Sequence, residues 1–207
     1  MLLPARVVEN TLVTITRSLV PIAGLATGLF AGWVVFPTVL YTTVDQPVQF
    51  NHAAHTGNGA GMSCQDCHAL GQDGRFAGIP GIHQCAECHE EPIGSSENER
   101  RFVEEYVQQN REVPWLVYAR QPDNAYFPHV VHVHKAKLAC ETCHGKHGSS
   151  SGLRPYEMNR ISGYSRDIWG SSIAGIKSQA WDGMKMDDCI SCHSVHNNDR
   201  ACIDCHK

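Results

Sequence analysis

The longest apolar run comes first. Residues 18–41 carry no Asp, Glu, Lys or Arg over 24 positions, and a helix of about 20 apolar residues suffices to cross a bilayer. A secretory h-region is only about 7–15 residues long, and no A-x-A-like cleavage site follows. The run therefore reads as an uncleaved signal anchor, with a cleaved signal peptide as the alternative. Gly24, Gly28 and Gly32 recur every fourth position within it. That spacing puts them on one face, where another helix can approach closely. Glycine is common in any membrane span; three in register favour a partner helix. Ahead of the run, Leu2, Leu3, Val7 and Val8 give residues 1–16 the apolar side of a short interfacial helix.

Beyond the anchor, periodicity fades. One further helix is predicted near 96–110, where Ser96 and Glu99 are spaced as a capping box. Phe102, Val103, Tyr106 and Val107 then follow at helical spacing, a stripe suited to core packing. Residues 145–188 show no period. They hold Gly148-Ser149-Ser150-Ser151-Gly152, then Tyr156, Tyr164, Trp169 and Trp181. A long irregular segment of this kind reads as a docking loop or a lid.

The cysteines supply what the hydrophobic pattern does not. All ten fall in five CxxCH motifs: Cys64/Cys67/His68, Cys85/Cys88/His89, Cys140/Cys143/His144, Cys189/Cys192/His193 and Cys202/Cys205/His206. CxxCH is the attachment signature of c-type haem. Cysteines at i and i+3 lie on one helical turn, where both thiols reach the vinyl groups on one haem edge. The following His then sits under the iron as its proximal ligand. CxxC pairs also bind zinc, but five copies each followed by His exclude that reading. A disulfide framework would not place His after every second cysteine. Five covalent haem c groups are predicted. With so few residues per haem, the haems form the core and covalent staples replace packing. The expected fold is a mostly irregular and α-helical multihaem cytochrome c with one N-terminal transmembrane helix.

Histidine is in surplus. Thirteen are present, and five are proximal. The remaining eight, His52, His55, His83, His129, His132, His134, His147 and His196, are distal candidates. Five bis-His irons need five of them. The excess is either incidental, or two of the eight hold a sixth haem without thioether bonds. Met62, Met158, Met184 and Met186 are alternative sixth ligands that would raise the potential; with His so abundant, low-potential bis-His ligation is the reading. Filled sixth positions favour electron relay over catalysis at iron.

A repeat organises the sites. Phe50-Asn51-His52-Ala53-Ala54-His55 precedes the first, and Phe127-Pro128-His129-Val130-Val131-His132 precedes the third; both read F-x-H-x-x-H. The chain divides into a module over 45–93 with two sites and one over 124–207 with three. A smaller echo, C-x-x-C-H-x-x-H, ends at His147 and at His196.

Charge refines topology and partners. The formal net charge is −4, and no basic stripe suggests nucleic acid. Residues 45–93 hold six acidic residues against Arg75; residues 135–177 hold seven basic against three acidic. These are either ordinary solvated faces or docking faces of opposite sign. Arg6 and Arg17 precede the span, and no Lys or Arg follows until Arg75. The positive-inside rule then puts residues 1–17 in the cytoplasm, 18–41 across the inner membrane and 42–207 in the periplasm, where covalent haem attachment takes place.

F-x-H-x-x-H ahead of CxxCH resembles the class III, low-potential multihaem cytochromes c. The resemblance implies that His52 ligates the iron of the Cys64/Cys67 site and His129 that of the Cys140/Cys143 site. His55 and His132 would reach neighbouring haems. Anchor, duplicated module and five sites together are similar to the multihaem cytochrome c subunit of the Qrc menaquinone reductase complex of sulfate-reducing bacteria. Alternative complex III contains a related subunit. This likeness implies partners: a polytopic quinone-binding membrane subunit, periplasmic iron–sulfur and molybdopterin-enzyme-like subunits, and a soluble periplasmic cytochrome c. Electrons would pass through the chain toward menaquinone. The quinol-oxidising direction of alternative complex III, and a stand-alone membrane-anchored quinol dehydrogenase, are the competing readings. The latter group places its first haem site closer to the anchor, often with Met just beyond CxxCH; here Ala69 and Leu70 follow His68.

Overall fold

Pro37 shapes the end of the apolar helix. Lacking an N–H, it cannot donate to the carbonyl four residues back. The computed structural model, which describes residues 5–75, 77–120, 123–169, 185–198 and 201–206, widens the preceding turn. Helix α1 (Ala5–Phe30) passes into a π turn over Ala31–Val35, where Phe36 donates to Ala31, and α2 (Phe36–Leu40) closes the run. A π turn is a common way to absorb such a lost bond. Thr38 Oγ1 donates to the Val35 carbonyl at 2.7 Å. Residues 17–40 are long and apolar enough to cross a membrane, and Leu25, Phe30 and Trp33 along them are exposed. The backbone is continuously helical from Ala5 into this run. That corrects the separate interfacial helix expected before it; residues 1–4 lie outside the described set.

The chain separates into two units: residues 1–42 with 159–162, and residues 43–158 with 163–207. In the first, the Arg160 N–H donates to the Leu40 carbonyl at 2.9 Å. Regular structure is sparse. The only sheet among the described residues pairs β1 (Tyr41–Val44) with β2 (Tyr156–Asn159).

In the second unit one small apolar cluster forms, from Val48, Ile82, Tyr106 and Val113, with Phe102, Val107 and Trp115 packed against it. Val103 beside Phe102 is fully buried. The predicted helix exists with altered form: α6 (Glu97–Phe102) gives way to a π turn over Val103–Val107. Its capping box does not form. Ser96 makes no side-chain cap, and Glu99 instead accepts from the Ile93 and Gly94 N–H groups at 2.9 and 3.0 Å. Two polar clamps, the first from the buried Gln46 and the second from the exposed Glu112, hold the cluster in place. Gln46 exchanges hydrogen bonds with the Leu116 backbone at 2.8 and 3.0 Å, and Glu112 accepts from the Ile82 N–H at 3.0 Å.

Part of the segment expected to be irregular is ordered. Beyond β2, Met158 and Ser165 form an antiparallel bridge. Helix α8 (Arg166–Trp169) follows. Its Asp167 takes both guanidinium arms of Arg154, one at 3.0 Å. Arg154 in turn lies 4.1 Å over the Tyr118 ring, and its carbonyl accepts the Tyr118 hydroxyl. Trp181 and Met184 fall outside the described residues.

Candidate haem attachment sites

Each CxxCH motif folds as a helical turn, as its spacing predicts. The turns are α4 (Cys64–Cys67), α5 (Ile82–Ala86) leading into Cys88, α7 (Cys140–His144), α9 (Met186–Val195) and α10 (Cys202–Cys205). His68, His89 and His206 donate their backbone N–H to the carbonyl of the first cysteine at 2.8, 2.9 and 2.8 Å. Three turns share a start signal. Asp66, Asp188 and Asp204 reach back to the N–H of Ser63, Lys185 and Ala201 at 2.7, 3.0 and 3.1 Å, the return limb of a capping box. The turn at Cys140 has no acid at that position and ends at Gly145 with φ +72°, a conformation that suits glycine. None of the ten cysteines is in a disulfide. Without a bound group, burial pushes the Cys67, Cys85, Cys140, Cys143 and Cys189 thiols up.

The two F-x-H-x-x-H copies fold alike. Phe50 stands edge-on to His52 at 4.7 Å and stacks on His55 at 4.4 Å. Phe127 repeats this with His129 at 4.9 Å and His132 at 4.2 Å. One phenyl ring thus spaces two imidazoles in each module. The backbone beneath differs. Asn51 caps α3 (His52–Thr56) by accepting from the Ala54 N–H at 3.0 Å, whereas Pro128 has no side-chain acceptor, and a π turn runs over Val131–Lys135.

Ring nitrogens are committed in a consistent way. The Nδ1 of His55 bonds to the Asn51 carbonyl (2.8 Å), that of His68 to Gly78 (2.8 Å), that of His132 to Pro128 (3.0 Å) and that of His193 to Asn198 (3.1 Å). His129 Nδ1 meets the Arg75 carbonyl. That loop docks closely: Gly74 has φ +66°, and a Cβ there would lie 2.6 Å from Val130. His52 Nδ1 faces Ser150 Oγ at 3.3 Å. Metal-bound imidazoles characteristically engage their second nitrogen in this manner, which fixes the tautomer and leaves Nε2 for the metal. His89 differs, because its Nδ1 lies 3.1 Å from Glu99 Oε1, within ion-pair reach but short of an aligned hydrogen bond.

The rings then pair. His55 and His89 have centroids 6.0 Å apart, His132 and His193 6.1 Å, and His129 and His144 6.3 Å. An imidazole nitrogen sits about 2.0 Å from a bound first-row metal, so two rings on opposite sides of one iron have centroids separated by about 6.2 Å. The three gaps fit an iron with an imidazole on each side. His52 has no such ring contact, but His68 is the first charged group acting on it after burial. Burial leads in lowering its pKa to about 4, with His68, His147 and His55 adding to it, so the ring stays neutral, the form that binds metal. Burial likewise lowers His144 and His147. His83, His134 and His196 are exposed, and among the described residues no ring pairs with His206.

Neighbouring thiols show how the turns follow one another. Cys67 acts on Cys85, Cys64 on Cys140, Cys143 on Cys189 together with Cys205, and Cys192 on Cys143. In space the turn at 64 therefore neighbours those at 85 and 140, and the turn at 189 neighbours those at 140 and 202. Hydrogen bonds join the modules at the 64–140 step. The Ala53 N–H donates to Ser150 at 2.9 Å, and Thr56 Oγ1 donates to Gly148 at 2.5 Å.

Comparison with known proteins agrees with this geometry. The profile of the class III cytochrome C family matches residues 36–114, which include the first two attachment turns. The chain is 39% identical over 199 residues to the menaquinone reductase, multihaem cytochrome c subunit, of Nitratidesulfovibrio vulgaris, covering 89% of this chain and 87% of that protein. The chain belongs to the family of that multihaem cytochrome c subunit. Membership implies covalently bound c-type haems, and the attachment turns and ring pairs fit them.

Proposed function

We propose that the chain is the electron-relay subunit of a membrane-bound menaquinone reductase complex, receiving electrons from a soluble periplasmic cytochrome c. The observation that carries this reading is the set of three imidazole pairs at 6.0–6.3 Å. Bound haems supply one-electron carriage at low potential, as bis-His ligation favours. In this reading His55 with His89, His129 with His144, His132 with His193, and His52 with His68 would each hold one iron. The partner of His206 would come from among His83, His134, His147 and His196. All five CxxCH sites carry haem c.

Residues 1–17 are cytoplasmic, 18–41 span the inner membrane and 42–207 form the periplasmic domain. The open face at Gly24, Gly28 and Gly32, where a Cβ would meet nothing within 4 Å, suits a helix of the polytopic quinone-binding subunit. Iron–sulfur and molybdopterin-enzyme-like subunits complete the assembly.

Cys88 is exposed, and so are Glu87, Glu90 and Glu91 around it. This acidic rim favours a lysine-rich donor cytochrome by steering. Replacing Glu90 and Glu91 with lysine should slow association with such a cytochrome about tenfold at low ionic strength and flatten its salt dependence. Stopped-flow oxidation of the reduced donor by the intact complex measures this. An unchanged rate at low salt would place the donor elsewhere.

A further inference from the structure

We infer that Glu99 is a positioning residue for the iron site at His89, holding its reduction equilibrium toward the oxidised form. The inference rests on the haem reading above.

Three observations carry it. First, Glu99 Oε1 lies 3.1 Å from His89 Nδ1, with both side chains 19% exposed. His68 and His193, the other proximal histidines with a defined Nδ1 partner, face neutral backbone carbonyls instead. A full negative charge on the far nitrogen increases the basicity of the imidazole toward a metal, and the more basic ligand favours the more highly charged iron.

Second, the carboxylate is fixed before any metal is considered. Its two oxygens accept separately from Ile93 and Gly94, so it cannot swing away without losing both bonds. Gly94 allows this approach, because a Cβ there would lie 2.8 Å from Glu99 Oε2. Third, the ring it faces has aromatic neighbours. Phe102 stands edge-on to His89 at 5.9 Å and 83°, and the His55 ring lies 6.0 Å away, tilted by 46°. Glu99 and Phe102 belong to one helix, so α6 presents both the charge and the wall.

Outer-shell partners of metal-bound histidines change the metal equilibrium by about tenfold at the low end. For a one-electron couple, tenfold corresponds to about 59 mV. Spectropotentiometric titration of the full-length holoprotein should therefore show one potential rising by about 59 mV in Glu99→Gln. Glu99→Asp, which keeps the charge, should stay closer to wild type. Glu97→Gln, which removes an exposed carboxylate from the same helix, should leave all five potentials in place. Unshifted potentials in Glu99→Gln with five haems bound would overturn the assignment, as would Glu99→Asp shifting as far as Glu99→Gln, since that would make the effect one of packing. A haem count below five would remove the underlying haem reading instead.

Discussion

Replacing His132 with alanine should open the iron proposed at Cys189/Cys192/His193, although the next attachment motif in the chain begins at Cys140. The reason is the 6.1 Å pairing of His132 with His193, set by stacking of His132 on Phe127 and by its Nδ1 bond to Pro128. Alanine has no nitrogen to offer, and no other described ring lies at this distance from His193. The dithionite-reduced variant should bind one carbon monoxide per chain above the wild-type level, with the Soret shift of a vacated sixth position. His129→Ala should do the same at its own site, through His144. Removing Cys189 and Cys192 in the His132→Ala background should abolish the extra binding. If it persists, the crossed pairing is wrong.

Asp167→Asn should lower the melting temperature by roughly 6–12 °C. The Arg154–Asp167 pair is 16% exposed on each side and bidentate. Breaking a largely buried ion pair by neutralising one partner costs about 3 kcal/mol. In a domain of this size, 1 kcal/mol corresponds to roughly 2–4 °C. The effect is large because, beyond the cluster around Val48 and Ile82 and the Tyr156, Asn159 and Ser165 next to the pair, few side chains are buried among the described residues. The pair also lies beside His147, whose pKa responds to both partners. Differential scanning calorimetry of the holoprotein measures it, and a shift below 1 °C would mean that the pair is not structural.

Much of the site can be read from spacing alone. CxxCH encodes its own helical turn because both cysteines must share it, and all five turns form. F-x-H-x-x-H fixes two imidazoles against one phenyl ring, a contact local enough to survive in both copies despite Asn51 in one and Pro128 in the other. What spacing does not encode is the choice between two nearby partners. Ser96-x-x-Glu99 has the form of a capping box, yet Glu99 turns outward to the 93–94 backbone and to His89. The two free N–H groups of that loop outcompete the single one at Ser96. The segment after His147 shows no period because its order comes from scattered pairings, β2 with β1, the Met158/Ser165 bridge and the ion pairs Arg154/Asp167 and Glu157/Arg166, which leave no repeating signature. Ring pairs remote in sequence, such as His55 with His89 at 6.0 Å, emerge only when the turns are placed in space.

Pyridine haemochrome quantitation against amino-acid analysis tests the central claim most directly. After acid–acetone extraction, which removes haem not held by thioether bonds, the protein should retain five haems per chain, and the extract reports any sixth. Four or fewer retained haems would contradict the assignment of all five CxxCH turns as attachment sites.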